Sequence, residues 1–197
     1  MKRNKILTII LISLAIILFL AFTVYSFVKE TQKKSLPILG QVLDLTLTND
    51  KGEPYRLRSL TGKVWVADFF FTTCSDICPM MTKHMAALSR SFEQINKIRL
   101  VSITVNPEYD TANVLAEYAK KQNATDKWLF LTGERQQITD LVVKSFKLGS
   151  MDEPIFHSSY FSLVDKHGLI RGYYDGTKQE EINRLFKDAA SLIKEKN

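Results

Sequence analysis

The stretch VWVADFFFTTCSDICPMMTKHM, residues 64–85, runs an apolar segment into the only two cysteines of the chain, Cys74 and Cys78. Residues 64–71 are apolar except for Asp68, which predicts a strand covered on both faces. Beyond the cysteines, Met81, Met85, Leu88 and Phe92 recur at helical spacing. Pro79 suits a first helical turn, where its missing donor costs nothing. With a helix begun by Ser75 or Asp76, the two thiols lie about one turn apart on one side. The unpaired backbone donors and positive dipole end of that turn favour thiolate over thiol. Thiolate is the form that attacks disulfides and the form that binds soft metals. Four readings of the pair stay open here: a redox couple, a metal site, a structural disulfide, or two buried small residues. A disulfide across so short a loop removes little chain entropy.

Working outward, 41–47 alternates as a short strand, Asn49–Gly52 is a turn, and Tyr55–Leu57 is a second short strand. A buried strand is predicted at 98–105, an amphipathic helix at 111–123 with Thr111 as cap, and a third core strand at 127–133. A helix follows at 134–146, with Ile138, Leu141 and Val142 inward. A hairpin then turns at Lys166–Gly168, and the closing helix at 178–195 turns Ile182, Leu185 and Phe186 inward. Strands alternating with helices, ended by a hairpin, predict an α/β fold with a mixed central sheet and flanking helices, a thioredoxin-like layout with additions. Neither internal repeats nor low-complexity stretches are present.

Residues 6–28 hold no charge over 23 positions, long enough for a bilayer-spanning helix, which needs about 20. The run exceeds a signal-peptide core and holds no cysteine for lipid attachment. The expected organisation is a transmembrane anchor at 6–28, a tether at 29–36 and a thioredoxin-like domain at 37–195. Basic residues are nearly balanced across the span, and the short leading tail sets the orientation, with the domain outside the cytoplasm. The absence of an arginine-rich transit-type leader points to a single-pass protein of a bacterial cell membrane. Net charge is +6, half of it from Lys2, Arg3 and Lys5. From residue 29 onward 24 basic residues face 21 acidic ones, too mild a balance to imply nucleic acid.

A structural zinc site needs about four ligands, whereas the chain holds only two cysteines and three histidines. His84 lies on the helix after the cysteines and His167 in the hairpin turn. His157 opens the strand of the hairpin, where a side chain can lie beside the helix that follows a neighbouring strand. Two thiolates and one imidazole suit Cu(I), and an added oxygen or nitrogen donor accommodates Cu(II). Asp76, between the cysteines, is a candidate helix cap or a residue acting beside the thiols. Asp68 is either paired below the site or at the sheet edge.

FTTCSDICPMM (71–81), ITVNPEYDTANVLAEYAKKQ (103–122), WLFLTG (128–133) and FHSSYFSLVDKHGLIRGYYDG (156–176) together resemble the Sco/SenC family. These are membrane-anchored thioredoxin-like proteins linked to cytochrome c oxidase assembly. The resemblance covers roughly residues 36–192. It implies copper ligation by Cys74, Cys78 and His157, with Asp76 as the acidic residue inside the motif. It also implies copper delivery to, or thiol reduction of, the binuclear centre of oxidase subunit II, with a copper donor and a thiol reductant as further partners. Asn106, Ala112 and Ser75 depart from the family pattern, and none of them is an expected ligand. Two alternatives remain: a membrane-anchored thiol–disulfide oxidoreductase acting through Cys74 and Cys78, and a metal-free assembly protein. A peroxidase reading is weaker, because FFFTTC lacks the expected proline.

Overall fold

Residues 2–31, 35–149 and 158–195 are described by a computed structural model, with side chains described for 11–25 of the first helix. In chain order the elements are α1 (Lys2–Thr31), β1 (Gly40–Gln41), β2 (Thr46–Asn49), β3 (Pro54–Arg56), β4 (Val64–Phe70), α2 (Cys78–Ser91), β5 (Ile98–Thr104), α3 (Ala112–Lys121), β6 (Trp128–Thr132), α4 (Arg135–Asp140), β7 (Tyr160–Val164), β8 (Leu169–Asp175) and α5 (Gln179–Lys194). The chain divides into two units, Met1–Ser35 and Leu36–Asn197. In the first, the expected span lies within α1, and its described apolar side chains, such as Phe19 and Phe22, are exposed. Among the described residues no helix is long and apolar enough to cross a membrane.

In the second unit the described strands form one mixed sheet in the order β1-β8-β7-β4-β5-β6-β2-β3. Strands β4, β5 and β6 run parallel, and the remaining pairs are antiparallel. All seven residues of β4 are buried, as its apolar sequence requires of a strand with both faces covered. On one face Val66 and Phe70 pack with Met81, Met85 and Leu88 of α2, Leu115 of α3 and Leu185 of α5. On the other, Trp65, Ala67 and Phe69 meet Ile138, Leu141 and Phe146. The mixed α/β sheet and the helical faces with Met81, Met85, Leu88, Phe92, Ile138, Leu141 and Val142 inward follow the sequence expectation.

Several local expectations change. Residues 41–47 are not one strand: β1 and β2 lie toward opposite edges of the sheet. Ser145 bridges the segment between them, donating to the Gln41 carbonyl at 3.1 Å and accepting from the Leu43 N–H at 2.8 Å. The helix expected over 134–146 is α-helical only to Asp140 and widens to a π turn over Leu141–Ser145. Thr111 precedes α3 but makes no side-chain capping bond. Phe186 is 40% exposed rather than inward. It stacks on Phe92 with ring centroids 4.8 Å apart, capping the core from outside.

Candidate metal and thiol site

The two sulfurs sit where β4 runs out of the sheet. The Val105 N–H donates to the Phe70 carbonyl at 2.8 Å, prolonging the β4–β5 ladder by one bond. The Cys74 N–H then donates to the Phe71 carbonyl at 3.2 Å and closes a turn. Helix α2 begins only at Cys78, with Ile77 as the preceding residue and Pro79 in its first turn. Cys74 therefore lies on the turn and Cys78 at the helix start, which corrects the expectation of two thiols on one helical face.

Both thiols are free; Cys74 is partly exposed and Cys78 buried. Burial pushes the Cys78 thiol up to about 12. The hydrogen bond with Cys74 and the charges of Cys74 and Asp68 add to the rise, while the Phe71 backbone amide opposes it. The helix start was expected to favour thiolate at this position; desolvation outweighs it, because a charge moved out of water loses more than one exposed turn of dipole returns. One accessible and one buried thiol in hydrogen-bond contact form a soft donor pair. The same pair can close a disulfide by giving up two electrons and two protons to an oxidised partner.

Two polar groups that sequence reading missed, Asp110 and Tyr118, lie beside the elements that carry the pair. Asp110 is fully buried and accepts from the Thr72 N–H at 3.1 Å, the Thr72 hydroxyl, and the Thr104 hydroxyl at 2.5 Å. Tyr118 shares a 2.9 Å hydrogen bond with Thr82 of α2, and its ring packs on Phe70 at 5.4 Å. Burial raises the Tyr118 phenol, and the charges of Asp68, Cys78 and Cys74 reinforce the rise. The one available signal for Tyr118 was its place three residues after Leu115, on the inward face of an amphipathic helix.

Asp68 is paired and central rather than at an edge. Ser102 on β5 donates to it at 2.5 Å, and the Trp128 indole N–H on β6 donates to Ser102 at 2.8 Å, linking three adjacent strands beneath α2. Burial pushes the Asp68 carboxyl up to about 7 against the opposing Ser102 hydrogen bond.

The remaining candidates separate. Asp76 is exposed and does not cap α2, whose N-terminal flank is Ile77. His84 is partly buried, with an Nδ1 that has no hydrogen-bond partner, and burial lowers its pKa. His167 is exposed in the β7–β8 turn, its N–H donating to Asp165. His157 lies outside the described residues. Among the described residues no three of His, Cys, Asp and Glu converge as a metal site.

The SCO1/SenC family model matches residues 41–194. The SCO1 protein homolog of Bacillus subtilis is 35% identical over 162 residues, covering 79% of this chain and 84% of that one. The structure of BsSco, a member of the Sco family of cytochrome c oxidase assembly proteins with an identified disulfide switch, superposes with a TM-score of 0.73 at 33% identity. That match covers 83% of this chain and 100% of BsSco. Arabidopsis thaliana ScoI with copper bound matches with a TM-score of 0.64 at 25% identity, over 78% of this chain and 98% of that one. The mixed α/β fold is thus the thioredoxin-like fold of these proteins. A thiol pair at the end of a buried central strand, in a domain matched over nearly its whole length, leads to one assignment: the chain belongs to the SCO1/SenC family.

Proposed function

We propose that this protein is a copper chaperone that binds one copper ion through Cys74, Cys78 and His157 and assists maturation of the binuclear copper centre of cytochrome c oxidase subunit II or a similar copper protein. The observation that carries the reading is the thiol pair at the mouth of β4, one sulfur accessible and one buried beside it. Copper is the cargo. Cu(I) favours soft thiolates at low coordination number, and an incoming client cysteine reaches the metal from the open Cys74 side. The copper bound to Arabidopsis thaliana ScoI and the oxidase-assembly role of BsSco support the same class of function. Residues 6–28 serve as the membrane anchor, with the domain outside the cytoplasm.

A second reading is favoured by the same asymmetry. Cys74 attacks a disulfide of the client, and Cys78 resolves the mixed disulfide. Two electrons and two protons pass from the pair to the client, and a thiol reductant must restore it. Metal and disulfide exclude each other, since both consume the same sulfurs.

Competitive Cu(I) titration of the reduced full chain separates the readings. One copper bound tightly, lost in Cys74→Ser and Cys78→Ser and weakened in His157→Ala with disulfide formation intact, is the chaperone result. Disulfide exchange with the client in the absence of stoichiometric copper binding is the reductase result. A chain that does neither overturns both.

A further inference from the structure

The ring contacts beside the thiols continue away from them. Thr82 stands one turn after Cys78 on α2, the spacing that sets two side chains on one helical face. The Tyr118 hydroxyl meets Thr82 at 2.9 Å. The Tyr118 ring packs on Phe70 at 5.4 Å and edge-on against Phe130 at 6.0 Å, and Phe130 meets Trp128 at 4.8 Å. Cys78, Phe70, Phe130 and Trp128 lie in one packed cluster, and Cys74 and Tyr118 pack against it. A single ring, Phe130, thus touches both Tyr118 and Trp128.

The far end of this line reaches the surface. Trp128 is 5% exposed and lines a cleft with Lys51, Lys120 and Asp126. Its indole N–H donates to Ser102 at 2.8 Å, and Ser102 donates to Asp68 at 2.5 Å. Phenylalanine would satisfy packing alone. A phenol and an indole yield an electron far more readily than a phenyl ring does, and each sheds a proton when it does so. Both have an oxygen in place for that proton: the Thr82 hydroxyl at Tyr118, and the Ser102–Asp68 line at Trp128.

We propose that Tyr118, Phe130 and Trp128 form an electron path that carries oxidising equivalents from the thiol site to the cleft at Trp128 and so spares Cys74 and Cys78 from overoxidation. The path stands on the ring contacts; its protective use rests on the proposed binding of copper. The oxidant is a peroxide. Its O–O bond breaks as it takes one electron from Cu(I) and one from Tyr118. The phenol proton and one solvent proton complete two waters, leaving Cu(II) and a tyrosyl radical. Trp128 then passes an electron through Phe130 to Tyr118, which regains a proton from solvent past Thr82, while the indole proton moves by Ser102 to the Asp68 carboxylate. A one-electron reductant such as ascorbate, entering the cleft, returns the electron to Trp128, and the proton comes back from Asp68. A second ascorbate electron restores Cu(I). Without the path the second electron demanded by peroxide comes from a thiolate, the first step toward sulfinic and sulfonic acid.

The path is tested without copper. A ruthenium polypyridyl maleimide is attached to Cys74 of the full chain and oxidised by a flash in the presence of an electron acceptor. Transient absorption is expected to show a tryptophanyl radical. Trp128→Phe replaces it with a longer-lived tyrosyl radical, and Tyr118→Phe abolishes it. Trp65→Phe, on the opposite face of the sheet with Phe69 and Phe146, leaves it unchanged. Ring-deuterated tryptophan or tyrosine, which alters no contact, assigns the radical in the parent by its EPR line shape. An absent radical in the parent, or an equal tryptophanyl yield in Tyr118→Phe, overturns the path.

The protective use is tested on the Cu(I)-loaded full chain treated with hydrogen peroxide. Tyr118→Phe is expected to raise sulfinic and sulfonic acid at Cys74 and Cys78 about threefold by mass spectrometry, and ascorbate to lower it in the parent alone. Equal overoxidation of parent and variant overturns this use. A chain that conducts in the flash experiment but binds no copper supports the path and refutes the copper reading instead.

Discussion

Asp110 accepts two hydrogen bonds from Thr72, one from its backbone N–H at 3.1 Å and one from its hydroxyl, two residues ahead of Cys74. A buried carboxylate on the loop after β5 thereby fixes the turn that carries the accessible sulfur. Thr72→Val keeps the shape and removes one donor from a charged acceptor, a loss of about 1.5–3 kcal/mol. Copper affinity is expected to drop about tenfold, the equivalent of about 1.4 kcal/mol lost in positioning Cys74. Thr72→Ser retains both properties. Urea unfolding and Cu(I) competition on the three proteins check this, and a valine variant equal to the parent in both contradicts it.

The raised thiol of Cys78 sets a pH dependence. Its proton must leave before the sulfur can bind metal, and the folded thiol holds that proton up to about 12. Across the neutral range copper affinity therefore rises about tenfold per pH unit on account of this one sulfur. Titrations at a series of pH values read the slope. Alkylation of the metal-free chain at neutral pH is expected to modify Cys74 first, and a Cys74→Ser variant to react slowly.

Asp68 lowers stability at neutral pH. Its carboxyl stands at about 7 in the fold against 3.8 when unperturbed. A raised folded value contributes stability that is complete below 3.8 and lost as pH climbs through about 7. Asp68→Asn, which still accepts from Ser102 and cannot ionise, escapes that loss. Its advantage over the parent is expected to grow between these limits to on the order of 4 kcal/mol. Denaturation of both proteins across this range gives the difference curve. A flat curve means that the carboxylate is ionised in the fold throughout.

Arg171 closes the domain near its first residues. Its guanidinium pairs with buried Asp165 at 2.7 Å and donates to the Leu36 carbonyl at 2.6 Å. Arg171→Ala strands a buried carboxylate, a change worth about 3–5 kcal/mol. It also releases the carbonyl that secures the tether. A lower urea midpoint is expected, with faster protease cleavage near Leu36. Cleavage at the parent rate would detach the tether from this clamp.

The core was readable wherever burial imposes a period. Strand β4 reads as a continuous apolar run because both its faces are covered, and α2 shows its inward stripe at Met81, Met85 and Leu88 because one face is wet. Phe186 broke the pattern: the stripe of α5 includes it, yet its ring lies over Phe92 on the outside of the core. An apolar residue at the border of a helical face can cover the core as well as fill it, and periodicity does not distinguish the two.

By itself the sequence determined that two thiols stand where a buried strand gives way to a helix, and it carried enough motif to identify the family. Only the tertiary structure decided the character of those thiols. The first turn of a helix argued for thiolate, but the folded chain buries Cys78 at the start of α2 near Asp68 and Tyr118, and desolvation there outweighs the dipole. Asp110 and Ser102 reach their partners from 38 and 34 residues away. Local spacing governs what residues four apart can do, whereas the dielectric around a sulfur is set by whichever distant segments fold over it.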